Sequence, residues 1–133
     1  MRTVLAVILA ACTLLMTQVA SANASDFDLT FERGKSYGVV SNSLVRGDRD
    51  NYYFGARAGQ IVTIAISSLE DNAVVELYIK RGGEWLYADT PPDARTLYGA
   101  LPESDGGQYR VTVGGTRGNA TYDLFVGISA AGR

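Results

Sequence analysis

Ala58-Gly59-Gln60-Ile61-Val62-Thr63-Ile64-Ala65-Ile66-Ser67 is the stretch on which the fold turns. Ala58-Gly59-Gln60 reads as a tight turn, because Gly59 accepts the positive φ that such a reversal needs. Ile61, Val62, Ile64 and Ile66 then make the strongest strand of the chain, since β-branched side chains suit a pleated surface. The same pattern repeats on both sides. Upstream, Phe27, Leu29 and Phe31 alternate with Asp26, Asp28, Thr30 and Glu32, which predicts a first strand with one apolar face. Tyr37–Val45 and Asn51–Arg57 follow as the second and third.

Downstream, Val74–Lys80 and Glu84–Tyr87 flank Gly82-Gly83, a two-residue hairpin signal. Thr96–Leu101, Gln108–Val113 and Thr121–Ile128 complete the series. No segment beyond the N-terminus sustains a helical period. The expectation is an all-β protein, a small antiparallel β-sandwich of about eight or nine strands.

The N-terminus is of a different kind. Met1-Arg2 is a short basic start, Thr3–Met16 is almost wholly apolar, and Ala20-Ser21-Ala22-Asn23-Ala24 supplies small residues for cleavage. This is the pattern of an export signal, so residues 1–24 are expected to be a signal peptide and 25–133 the β-sandwich domain. A competing pattern, Leu9-Ala10-Ala11-Cys12, would make Cys12 an acylated lipoprotein terminus. The apolar run continues past it instead of becoming a polar tether, so cleavage after Ala24 is favoured. The expected location is periplasmic or secreted, with no stable membrane insertion.

Composition narrows the function. The chain has no histidine and one cysteine, Cys12, which leaves with the signal. The mature domain therefore lacks imidazole and thiol chemistry, and no cofactor is expected. Arg2 also leaves, so 11 basic residues face 14 acidic ones. That balance disfavours nucleic acid and suits a basic protein partner. Carboxylate-pair glycoside hydrolysis needs neither histidine nor cysteine, and Glu70/Asp71, Glu76, Asp89 and Glu103/Asp105 are its candidates. All fall at strand edges or turns, where acids serve solvation, and the expectation is a protein that is not an enzyme. Asp48 and Asp50 alternate as oxygen ligands of calcium do, but EF-hand spacing is absent and Arg49 intrudes; an ordinary turn is favoured over a metal site. Arg46-Gly47-Asp48 and the sequon Asn119-Ala120-Thr121 are short matches to which no function is assigned.

Two glycine-rich loops flank Gln108–Val113, and loops on a rigid sandwich are the usual place for recognition. Arg117 sits among glycines in the second of them. At these residues a resemblance emerges. Tyr53-Phe54, Ala58-Gly59-Gln60, Ile64-Ala65-Ile66, Leu101-Pro102, Gly107-Gln108-Tyr109-Arg110-Val111 and Tyr122-Asp123-Leu124 resemble, in this order, the bacterial pre-peptidase C-terminal domain. They also resemble the related periplasmic inhibitors of goose-type and invertebrate-type lysozymes. The resemblance runs from Phe27 to Ile128. It implies a sandwich whose loops enter a lysozyme substrate cleft. By position, Ser104, Gly107 and Tyr109 match one such loop, and Thr116-Arg117-Gly118-Asn119 match another. The second is shorter here, and Asp105 adds an acid to the first.

The implied function is a lysozyme inhibitor in which Arg117 and Tyr109 dock into the cleft and Ser104 and Asn119 add polar contacts. The alternative is a pre-peptidase-type envelope module that binds a glycan or protein through Trp85 or Tyr87.

Overall fold

A computed structural model describes residues 23–31, 33 and 36–130. The expected signal segment and Cys12 fall almost wholly outside the described residues. The described residues form nine strands: β1 (Ala24–Asp28), β2 (Tyr37–Leu44), β3 (Arg49–Gly55), β4 (Ile61–Ser68), β5 (Ala73–Arg81), β6 (Glu84–Tyr87), β7 (Thr96–Ala100), β8 (Gln108–Gly115) and β9 (Ala120–Ser129). They form two sheets, β1-β3-β8-β5-β6 and β2-β9-β4-β7. The expected sandwich is borne out. Among the described residues no helix is long and apolar enough to cross a membrane.

Period-two alternation builds the core. Val62, Ile64 and Ile66 of β4, Leu124 and Val126 of β9, Val75, Leu77 and Ile79 of β5, and Val111 and Val113 of β8 all face inward. Gly82 and Gly83 both take positive φ, 60° and 82°, which lets β5 and β6 close as a two-residue hairpin. At Gly59, φ is 87°, and the Gln60 amide donates to the Arg57 carbonyl at 3.2 Å.

The first strand departs from expectation. It ends at Asp28, and it pairs parallel to β3, Phe27 opposite Tyr52. Leu29 and Phe31 do reach the core, Leu29 buried and Phe31 packed against it, but from the segment that leaves the strand. That segment carries the chain from one sheet to the other. Gly38 lies close under Phe31: a Cβ there would be 3.3 Å from the Phe31 ring, a tight contact.

The interior is not wholly apolar. Tyr52 of the first sheet and Tyr122 of the second meet edge to face, with ring centres 6.5 Å apart. Their hydroxyls are 2.5 Å apart, and Tyr122 donates onward to Asp50 Oδ2, also at 2.5 Å. The Asn42 amide donates to the Tyr52 hydroxyl at 3.4 Å. Asp50 is only 5% exposed. Its inward position on β3 separates it from Asp48, which stays in the preceding loop and accepts the Asn23 amide at 3.2 Å. The two acids considered for calcium thus face different surroundings. Among the described residues no three histidine, cysteine, aspartate or glutamate side chains converge.

Burial, and then the Asp50 and Tyr52 hydrogen bonds, push the Tyr122 phenol far above its ordinary value of 10.0. The folded state thus keeps a proton that the unfolded chain releases above about pH 10. Stability from this phenol is full below that pH and falls as pH rises beyond it. Thermal unfolding should show a Tm that drops above about pH 10, with a shallower drop in Tyr122→Phe. At neutral pH the same substitution should cost about 1–3 kcal/mol, because Asp50 and Tyr52 each lose a buried partner.

Candidate functional site

Recognition on a sandwich is carried by loops held at the two ends of its strands, so the ends are described separately. One end gathers the β3–β4 turn, the β5–β6 hairpin and residues 101–107 before β8. Ser104 is an internal brace there. Its hydroxyl accepts the Lys80 amide at 2.7 Å and donates to the Gln108 carbonyl. Asp105 Oδ2 accepts the Gly82 amide at 2.7 Å, and the Arg81 guanidinium donates to the Glu103 carbonyl at 3.0 and 3.3 Å. Gly107 has φ of 65°, and a Cβ on it would lie 2.4 Å from the Ala56 carbonyl oxygen, so only glycine fits.

Tyr109 corrects an expectation. It is 0% exposed, stacked on Phe54 with ring centres 5.5 Å apart, and its hydroxyl donates to the Pro102 carbonyl at 2.6 Å. Burial raises its phenol pKa, with Glu103 adding a smaller push in the same direction. Its ring has the same strand parity as Val111 and Val113, so it belongs to the core.

The opposite end gathers the β2–β3 loop, the β4–β5 loop and the β8–β9 hairpin. Here Arg117 and Asn119 are both exposed. The Arg117 guanidinium donates to the Glu70 carbonyl at 2.6 Å, and Asn119 Oδ1 accepts the Arg46 amide at 2.8 Å. Beneath them lies Asn72, which is 2% exposed. Its amide nitrogen donates to the carbonyls of Arg117 and Asn119, both at 2.9 Å, and its own carbonyl accepts the Thr116 amide at 2.9 Å. One buried side chain thereby sets the hairpin on the β4–β5 loop. Asp71 in that loop is paired with Arg95 at 2.5 Å. Leu69 and Val45, 98% and 61% exposed, flank the same end.

The four residues expected to act together are therefore split. Ser104 and Tyr109 lie at the start of β8; Arg117 and Asn119 lie beyond its end. β8 runs from Gln108 to Gly115, so the two groups stand about 23 Å apart at the usual strand rise. Arg117 and Asn119 are exposed, Ser104 is half-buried and Tyr109 is buried. The carboxylates weighed for glycoside hydrolysis are scattered in the same way, Asp71 at one end and Asp105 at the other.

Trp85 and Tyr87, the residues of the alternative expectation, stand on the outer face of the first sheet. Asp28, Tyr53, Arg110, Tyr78 and Tyr87 are in register across all five strands of that face. The Arg110 guanidinium lies 4.1 Å from the Tyr78 ring centre and 5.4 Å from that of Trp85.

No protein-family model matches the chain, and no curated protein matches it in sequence. Solved structures do. PliG of Aeromonas hydrophila, a periplasmic inhibitor of g-type lysozyme, superposes with a TM-score of 0.69 at 23% identity, over 82% of this chain and 100% of that one. PliG of Salmonella Typhimurium gives 0.61 at 22% identity, over 79% and 98%. A mutant PliG of Escherichia coli gives 0.54 at 24% identity, over 83% and 100%. The nine-stranded sandwich described above is thus the fold of the periplasmic g-type lysozyme inhibitors, matched along essentially their whole length.

Proposed function

We propose that this chain is an exported, non-catalytic protein of the periplasm or cell exterior that binds and inhibits a goose-type lysozyme. The observation that carries this reading is the end-to-end fold likeness to three inhibitors of that enzyme class. The contact is the β8–β9 hairpin, with Arg117 at its centre, Asn119 beside it, and Leu69 and Val45 as apolar flanks. Ser104 and Tyr109 have no part in it, since both stand at the other end of β8, where Tyr109 is buried and Ser104 is bonded to main-chain groups.

The chemistry suits the target. Glycoside hydrolases act through carboxyl groups set in a cleft, and a guanidinium meets a carboxylate through paired, charge-assisted hydrogen bonds. Arg117 is held on a hairpin already fixed by Asn72, so little ordering remains to be done on binding. Arginine at the middle of an interface, ringed by apolar contacts, is a common site of concentrated binding energy. A mature chain of 11 basic and 14 acidic residues also gains encounter rate with a basic lysozyme.

In a cell-wall lysis assay, purified mature protein should slow goose-type lysozyme at micromolar concentration; no slowing there removes the reading. Arg117→Ala should weaken inhibition by about 30-fold or more, the cost of truncating a buried charged contact. Arg57→Ala, at the other end of the sandwich, should leave it within about twofold. Asn72→Ala should lower stability by about 1–3 kcal/mol, since the two hydrogen bonds from its buried amide to the Arg117 and Asn119 carbonyls are lost. It should weaken inhibition as well, although Asn72 touches no partner, and thermal unfolding together with the lysis assay checks both effects.

A further inference from the structure

The outer face of the first sheet carries a cleft of about 310 Å³ at the corner where it meets the residue 101–107 loop. Tyr53 and Trp85 form its aromatic walls, and Asp28 and Gln108 supply a carboxylate and an amide. We propose that this cleft is a saccharide-binding site that takes one pyranose ring of a glycan. It is distinct from the hairpin end and goes beyond the lysozyme reading.

The shape and chemistry point the same way. The Tyr53 and Trp85 rings are 5.5 Å apart and inclined by 56°, so they make an angled pair of walls instead of a closed stack. Aromatic faces receive the C–H face of a pyranose, and a few convergent polar groups fix its orientation. A carboxylate offers two acceptors to neighbouring hydroxyls, and an amide offers both donor and acceptor; these two groups stand beside the rings here.

The walls are also set in advance. Lys80 Nζ and Arg110 Cζ lie 5.2 and 5.4 Å from the Trp85 ring centre, which holds the indole by cation–π contact. The Tyr53 hydroxyl donates to Asp26 at 2.9 Å, and Asn51 donates to the same oxygen at 3.1 Å. The loop rim is fixed by Ser104, Asp105 and Gly107. A Cβ on Gly106 would lie 3.2 Å from the Gln108 amide nitrogen, so the glycine leaves room for that amide at the mouth. A site whose groups are already placed loses little entropy when a sugar enters. The cleft opens on a sheet face, away from the hairpin by about the length of β8, so a glycan and a protein can be held together.

Trp85 is the sole tryptophan of the chain, which makes its emission a direct report on the cleft. Titration of the mature protein with chitotetraose and with cellotetraose should give a saturable change in that emission with at least one of them. A response to chitotetraose alone assigns the acetamido group as part of what is read; a response to both assigns the ring and its hydroxyls. Asp28→Ala and Gln108→Ala, both at exposed positions, should each weaken binding about tenfold with circular dichroism unchanged, and Arg117→Ala should leave it intact. No saturable change with either sugar up to about 10 mM overturns the proposal, as does a change that survives both cleft substitutions. The lysis assay separates the two readings. The cleft variants should inhibit lysozyme as the parent does. If they lose inhibition and the parent protein shows no sugar response, the cleft is a lysozyme contact and the saccharide proposal falls while the inhibitor reading stands.

Discussion

The hydrogen-bonded line from Asn42 through Tyr52 and Tyr122 to Asp50 is what makes two sheets into one structure. Apolar contacts between facing sheets are strong but non-directional, and a layer of Val, Ile and Leu is compatible with more than one offset. Hydroxyls 2.5 Å apart are compatible with one. Asn42 and Tyr122 belong to one sheet, Tyr52 and Asp50 to the other, so every bond along the line depends on how the sheets are aligned. A buried network of this kind is worth having only when each member is satisfied, and here each polar group is passed to the next.

The two ends of the sandwich inherit that alignment and fix their loops by the same means. Each relies on short polar side chains bonded to main-chain groups: Ser104 and Asp105 at one end, Asn72 and Asn119 at the other. Glycine supplies the turns, and the side-chain amides and hydroxyls supply the ties. The result is a rigid frame on which Arg117 and the Trp85 cleft are placed independently.

Strand positions were readable because alternation and turn chemistry are local. Ile61–Ser68 and the Gly82-Gly83 hairpin need nothing beyond their own neighbours to be recognised. The burial of Tyr109 was equally readable, since it shares parity with Val111 and Val113, yet a motif match with inhibitor loops suggested the opposite. Length was decisive for the other misplacement: eight residues of β8 necessarily put its flanking loops at opposite ends. Asn72 is of another sort. It stands in a polar run, Asp71-Asn72, and only partners more than forty residues away make it a buried tie. The early end of β1 likewise depends on the chain crossing between sheets, which no local pattern records. Arg110 was hidden among alternating residues because its ring partners come from β5 and β6.

Strand order bears on when the protein can fold. β9, the last strand, lies between β2 and β4 in its sheet, and β8, the last but one, lies between β3 and β5 in the other. Tyr52 waits for a partner 70 residues later, and Asn51 for one 61 residues later. A nascent polypeptide that has not reached Gln108 has neither of these inner strands and can close neither sheet. Pairings of such long range also slow folding. The topology therefore keeps both sheets open until β8 and β9 have been made, so the sandwich closes from its centre outward in one late step.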